Sequence, residues 1–223
     1  MSATDATPAG EPRALRADAR RNRERLLAAA CAAFAEHGYE VGVAEIARRA
    51  GVGTGTLFRH FPCKRDLEVA VMLTRAERLR RVLADALALP DAWDAFEHAM
   101  THMVQLAACD RCISQAAPEV VADPRVGELR EALLADIERL LDRGKATRVV
   151  RGDIRAEDIV VLVTTVAATV QRLGGSDRNL WRRYLGIVLD GLRTAGAAPL
   201  TPGPPDLGAL EAAAPLARPV RAG

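Results

Sequence analysis

The chain has 223 residues, 49% of them hydrophobic, and carries 31 Lys or Arg against 29 Asp or Glu, a formal net charge of +2. This is the composition of one large or two small folded domains, and no apolar run approaches the roughly 20 residues that a membrane-spanning helix needs. Residues 1–12 lack the basic-then-apolar order of a secretory signal, and four cysteines make no disulfide framework, so the expected location is the cytoplasm.

Pro8, Gly10 and Pro12 mark the first dozen residues as a disordered start, and the expected N-terminal arm covers residues 1–17. The first helix is predicted from Asp18, a good N-cap, to His37, with Leu26, Leu27, Ala30, Cys31 and Phe34 on its buried side and Gly38 at its end. Arg20, Arg21, Arg23 and Arg25 lie on its outer side. Two short helices follow in VAEIARRAGVGTGTLFRHF, residues 43–61. Ile46, Ala47 and Ala50 form one apolar face, and Leu57, Phe58 and Phe61 form another at three- and four-residue spacing. Gly51 stands where a left-handed residue would end the first helix and turn the chain. Gly53 or Thr54 caps the second helix, and Pro62 stops it.

A fourth helix is predicted from Lys64 toward Leu87, with Leu67, Val71 and Leu79 on one side, linking this head to the remainder. Further helices fit roughly 91–108, 124–145, 156–173 and 178–194, with breaks at Pro90, Pro118, Pro124, Gly152 and the Gly174-Gly175-Ser176 turn. The segment IVVLVTTVAATV, residues 159–170, is apolar or weakly polar all round and is expected to be covered on several sides. The last helix, capped by Ser176 or Asp177, has two apolar faces: Leu180, Tyr184, Ile187 and Gly191 on one, Trp181, Leu185, Val188 and Leu192 on the other. A final helix of that kind points to a partner chain. Residues 196–223, rich in Pro, read as a flexible tail. No run of alternating β-branched residues interrupts the helical periodicity, so the fold class is all-α.

Charge is unevenly spread. Residues 13–65 hold eleven Arg or Lys and five Asp or Glu, a local balance of +6, which leaves −4 for everything else. A weakly basic total therefore hides a cationic region joined to a mildly acidic one, the pattern that phosphate binding requires. The exposed side of the second short helix would offer Thr54, Gly55, Thr56, Arg59 and His60, short hydrogen-bonding groups and a cation suited to a major groove.

These residues carry a resemblance. Arg23-Glu24-Arg25-Leu26-Leu27-Ala28-Ala29-Ala30, Phe34-Ala35-Glu36-His37-Gly38, Ile46-Ala47-Arg48-Arg49-Ala50-Gly51-Val52 and Gly55-Thr56-Leu57-Phe58-Arg59-His60-Phe61-Pro62, followed by Lys64 and Leu67, resemble the TetR/AcrR family of transcriptional regulators over about residues 20–72. Trp181-Arg182-Arg183-Tyr184-Leu185 and Leu189-Asp190-Gly191-Leu192-Arg193 also resemble the ending of one subgroup. The sequence departs from the family pattern at two caps: Gly42 and Cys63 stand where Ser or Thr commonly starts a helix. Gly costs only a few tenths of a kcal/mol there, and the weak acceptor Cys about 1 kcal/mol.

The resemblance implies a homodimer of all-α subunits, each with a helix-turn-helix head (residues 18–63) and a ligand-binding and dimerisation body (residues 64–195). Its activity would be that of a ligand-relieved repressor on a palindromic double-stranded DNA operator. Candidate DNA contacts are Arg20, Arg21, Arg23, Gly53, Thr54, Gly55, Thr56, Phe58, Arg59, His60 and Lys64. Candidate effector contacts are Trp93, Phe96, Met100, Met103, Ile113, Leu133 and Thr164. The dimer would join through Val163, Val166, Val170, Trp181, Tyr184, Leu185, Val188 and Leu192. No cofactor or enzymatic chemistry is expected, since the chain shows no phosphate-cradling Gly loop and no nucleophile motif. An alternative is a metal- or thiol-responsive regulator, or a CxxC redox enzyme, built on Cys109 and Cys112 with His98 and His102.

Overall fold

The structure is a computed structural model and describes residues 11–109, 117–173, 179–196 and 198–204. The described residues form α1 (Glu11–His37), α2 (Val43–Arg49), α3 (Thr54–His60), α4 (Lys64–Ala88), α5 (Ala92–Cys109), α6 (Pro118–Val121), α7 (Pro124–Ala146), α8 (Ala156–Leu173) and α9 (Leu180–Leu192). A lone antiparallel bridge between Val150 and Arg193 is their nearest approach to a sheet.

Two apolar cores divide the molecule. In the head, Leu26, Ala30, Ala33 and Phe34 of α1 meet Ile46 and Ala47 of α2, Leu57 of α3 and Leu67 and Val71 of α4. The packing boundary therefore lies inside α4, beyond the expected division at residues 63 and 64. The body core joins Leu83 and Ala86 of α4, the apolar side of α5, Ile137, Leu140 and Leu141 of α7, and the inner faces of α8 and α9. A small third cluster, Val69 of α4 with Val120 and Val126, ties the head end of α4 to α6 and the start of α7.

Polar groups finish the helix ends. Asp123 accepts from the Arg125 amide at 3.1 Å and caps α7 ahead of Pro124. The Arg143 guanidinium on α7 donates to the carbonyls of Leu87, Leu89 and Pro90 at and just past the end of α4, occupying acceptors that the helix itself cannot serve. Arg80 pairs with Asp136 at 2.9 Å farther along the same two helices.

Several expectations are corrected here. Helix α1 is already formed at Glu11, upstream of the expected start at Asp18, because ALRADARRNRER is rich in strong helix formers; Asp18 pairs with Arg21 one turn on instead of capping. Pro118 begins a short helix instead of only breaking one, since Pro is tolerated at the first helical position. Helix α9 is capped at Asn179; Ser176 and Asp177 lie outside the described residues. The start of the expected tail is tied to the body at Ala198 and Leu200. The buried Arg151 donates to the Ala198 carbonyl and, at 3.2 Å, to that of Gly191, while the Leu200 amide donates to Asp153 at 2.8 Å. Residues 205–223 and 1–10 lie outside the described residues.

Candidate nucleic-acid interface

The geometry of the head follows from its turn. Ala50 ends α2, and Gly51 takes φ +66°, a left-handed conformation that costs a side-chain-bearing residue about 1 kcal/mol or more. The Val52 amide then donates to the Ala47 carbonyl at 3.0 Å and the Gly51 amide to that of Arg48 at 3.1 Å, the paired closure of a Schellman motif. Gly53, extended, caps α3. Pro62 keeps the preceding residue out of the helical region, and Phe61 is accordingly extended at φ −136°.

Helix α3 is thereby anchored on one side and open on the other. Leu57 and Phe61 are buried in the head core, whereas Thr54, Gly55, Phe58 and Arg59 are exposed and Thr56 and His60 half-buried. Side chains built for hydrogen bonding, one cation and one aromatic ring thus share the outer face. Gly55 has no internal reason to lack a side chain, since a Cβ placed there meets nothing within 4 Å. Arg23 of α1 stacks over the Phe61 ring at 5.2 Å and fixes the basic side of α1 against the end of α3. Arg20 and Arg21 are exposed, each sharing its charge with a neighbour, Glu24 and Asp18 respectively.

Lys64 is placed differently from expectation. Its ammonium donates to the Tyr39 carbonyl and lies 3.8 Å from the buried Glu68 carboxylate, so it bridges the joint between α1 and α4 while its side chain stays half-exposed. Burial raises the Glu68 carboxyl above the usual range, against the pull of Lys64.

A brace not foreseen as a unit holds α1 to α2. Arg49 donates to Glu45 at 2.8 Å and to Glu36 at 2.7 Å, and Arg48 grips both oxygens of Glu45 at 2.7 Å. Hydrogen bonds from the two guanidinium groups lower the Glu45 carboxyl to about 2. The three- and four-residue spacing of Glu45 to Arg48 and Arg49 was a readable signal for half of this brace. Arg65, whose guanidinium donates to the Glu119 carbonyl at 2.9 Å across 54 residues of chain, left no such trace.

In the body, the expected dimer contacts Val163, Val166, Trp181, Leu185 and Leu192 are buried within the protomer's own core. The inner faces of α8 and α9 are needed to close that core, which the two-faced sequence pattern does not reveal. Tyr184 and Val188 are half-buried, Ile187 is 61% exposed, and the side chain of Val170 lies outside the described residues. The effector candidates Trp93, Phe96, Met100 and Met103 pack together as core, with Leu133 half-buried beside them. Thr164 is exposed and turned onto the carbonyl of Val160 at 2.8 Å, away from those residues; Ile113 lies outside the described residues. An open groove of about 480 Å³ lies elsewhere, between α7 and the start of α8, lined by Leu134, Ala135, Glu138, Arg155, Ala156, Glu157 and Pro204.

His98 and His102 stack on one side of α5 with ring centroids 4.1 Å apart. Cys112 and the side chain of Cys109 lie outside the described residues, and among the described residues no three metal-binding side chains converge. The metal or thiol reading therefore gains no support from the site.

Residues 26–71 match the family model of bacterial regulatory proteins of the tetR family, and residues 91–194 match that of the SbtR-like transcriptional regulator C-terminal domain. A TetR transcription regulatory protein from Mycobacterium vanbaalenii is 35% identical, with a TM-score of 0.61 over 80% of this chain and 99% of its own. The chain belongs to the TetR family. A second TetR transcriptional regulator, from Streptomyces coelicolor, is 30% identical over 78% of this chain and 99% of its own, again with a TM-score of 0.61. The TetR fold extends to FadR of Bacillus subtilis, solved with stearoyl-CoA, at 17% identity and a TM-score of 0.58 over 76% of this chain and 99% of that one. No curated protein matches the chain. As a TetR-family transcriptional regulator it has a DNA-binding helix-turn-helix head and a helical body, and no helix among its described residues is long and apolar enough to cross a membrane.

Proposed function

We propose that this TetR-family regulator is a homodimeric repressor that reads a palindromic operator through the outer face of α3 and releases it when a small effector binds the body. The observation that carries the reading is the open face of α3, with Thr54, Gly55, Thr56, Phe58, Arg59 and His60 presented from a head whose core is closed by Leu57 and Phe61 of the same helix region. Arg59 and the Thr hydroxyls supply base-edge and phosphate contacts, Gly53 leaves the start of α3 uncrowded, and Arg20, Arg21 and Arg23 extend the positive surface along the backbone. Lys64 serves as a positioning residue for α4.

The dimer forms on the sides of α8 and α9 that the protomer's own core does not fully cover, exposed Thr164, Thr165 and Ile187 with half-buried Val161, Leu180, Tyr184 and Val188. A two-fold axis there repeats α3 about one DNA turn (~34 Å) away or somewhat more, which matches a palindrome. Release follows if the effector binds one head spacing better than the other, with α4 as the shared element. The stearoyl-CoA complex of the FadR relative supports a body that receives a small molecule. No bond is made or broken in this account, and its place is the cytoplasm, where the operator is.

The test is a binding titration of the purified dimer on its own upstream DNA and on scrambled DNA at two salt concentrations. Selective binding that weakens steeply with salt is expected, with selectivity lost in Arg59→Ala and the fold unchanged. Equal affinity of wild type and Arg59→Ala for the cognate DNA would remove α3 from the reading role.

A further inference from the structure

The chain leaves α9 along a fixed path. Arg193, the C-cap, pairs through its backbone with Val150 and stacks its guanidinium over the Trp93 ring at 3.7 Å. Farther on, the buried Arg151 donates to the Ala198 carbonyl, and Asp153 accepts from the Leu200 amide at 2.8 Å. The path leads to Pro204, which is itself one wall of the open groove of about 480 Å³ between α7 and the start of α8.

That groove joins an apolar surface to one available cation. Leu134 is half-buried and Ala135 exposed on α7, facing Ala156 at the head of α8. Glu138 is already committed, since it accepts from the Ala156 amide at 3.0 Å and pairs with Lys145 at 3.2 Å. Arg155 lies 3.5 Å from Glu138 with its side chain 62% exposed, and a guanidinium has five donors, so donors remain for a second carboxylate. The remaining carboxylate of the lining, Glu157, sits in the first turn of α8, where the positive end of the helix offsets its charge.

We infer that this groove is the docking site of the chain's own next segment, Pro205-Asp206-Leu207-Gly208-Ala209-Leu210, with Asp206 on Arg155 and Leu207 and Leu210 against Leu134 and Ala135. Three observations select this occupant. Nineteen residues of sequence follow Pro204, and the first of them begins at the groove wall. An extended chain advances at most about 3.6 Å per residue, so Leu207 is within about 11 Å of Pro204 and Leu210 within about 22 Å, a span that covers the groove. The segment also supplies one carboxylate and two leucines, the groups that an exposed guanidinium and an apolar floor complement. A peptide or metabolite from solution would compete with a tethered segment whose effective concentration is on the order of millimolar, at which weak contacts suffice.

The experiment places a photo-crosslinking benzoylphenylalanine at Ala209 of the full-length protein and maps its adducts by mass spectrometry. Mixing isotope-labelled with unlabelled chains separates adducts within a chain from those between chains. Adducts should fall within one chain, on residues 134–138 and 155–157. Leu207→Asp should lower their yield about tenfold, the equivalent of returning a leucine side chain to water. Arg155→Ala should lower it about threefold, as loss of an exposed ion pair does, and Asp206→Asn should add nothing in that background because the two residues act as a pair. Unchanged helix content in each variant is the control for folding. Adducts spread over the surface would overturn the inference, as would a groove yield that neither Leu207→Asp nor Arg155→Ala lowers. Adducts found only between chains would overturn it too, by assigning the groove to a second copy. No residue of α3 enters the test, so its outcome is independent of the DNA-reading role.

Discussion

Leu57 and Phe58 are neighbours in sequence, yet one is sealed in the head core and the other open to solvent, because successive helical residues point about 100° apart. Sequence spacing grouped Leu57, Phe58 and Phe61 as one apolar face; the packing of α1 and α4 decides that only Leu57 and Phe61 belong to it. Lys64 teaches the same lesson in reverse, a cation read as phosphate-facing that the fold spends on the Tyr39 carbonyl and on Glu68. Such assignments depend on which neighbour arrives from elsewhere in the chain, and one-dimensional spacing does not contain that. Gly55 separates fold from function most cleanly. With ordinary helical geometry and open space around it, Gly55→Ala should stabilise the protein by about 0.5 kcal/mol, since glycine weakens a helix without compensation. The added methyl would crowd the DNA contact and cost about tenfold in operator affinity, in line with overpacking elsewhere. Thermal melts and titrations on one preparation check both signs; a variant that is more stable and binds as well would show that no DNA group packs closely at Gly55.

At the scale of elements, helix existence and order were legible, because 3.6-residue periodicity and the Gly and Pro punctuation agree along the chain. Boundaries were less so. The short α6 escaped because a marginal segment is decided by what it can lean on, as α6 does on Val69 of α4. The head's small elements need help to stay together, since seven-residue helices such as α2 and α3 are unstable alone. The Glu36–Arg49–Glu45 brace supplies part of it and makes a pH prediction. Glu45 titrates at about 2 in the folded head against about 4.3 in an unfolded chain, so its contribution is fully present above the unfolded value and is lost as pH falls from there through about 2. The melting temperature should therefore drop between pH 5 and 2 in the wild type, and Glu45→Gln should flatten part of that drop while lowering stability at neutral pH. Identical profiles for the two proteins would mean that the brace contributes nothing at the surface.

The whole molecule is two cores on one beam. Helix α4 gives Leu67 and Val71 to the head, Val69 to the middle cluster and Leu83 and Ala86 to the body, while α7 grips its far end through Arg80–Asp136 and Arg143. In the proposed dimer this shared helix is the route by which a change of packing in the body would alter the distance between two copies of α3. The head was far more legible than the body for a physical reason. Turn chemistry and a charged surface are local and leave motifs, whereas a protomer core and a subunit interface are both apolar stripes, and only the packed structure separates Trp181 and Leu185 from the exposed Ile187. Selection of binding sites from a random-sequence pool by the full-length protein decides whether a symmetric dimer reads DNA sequence. Inverted repeats whose half-sites lie about one helical turn apart or somewhat more should be enriched. Enrichment of a single unrepeated site, or no enrichment above the starting pool, would contradict that symmetric reading.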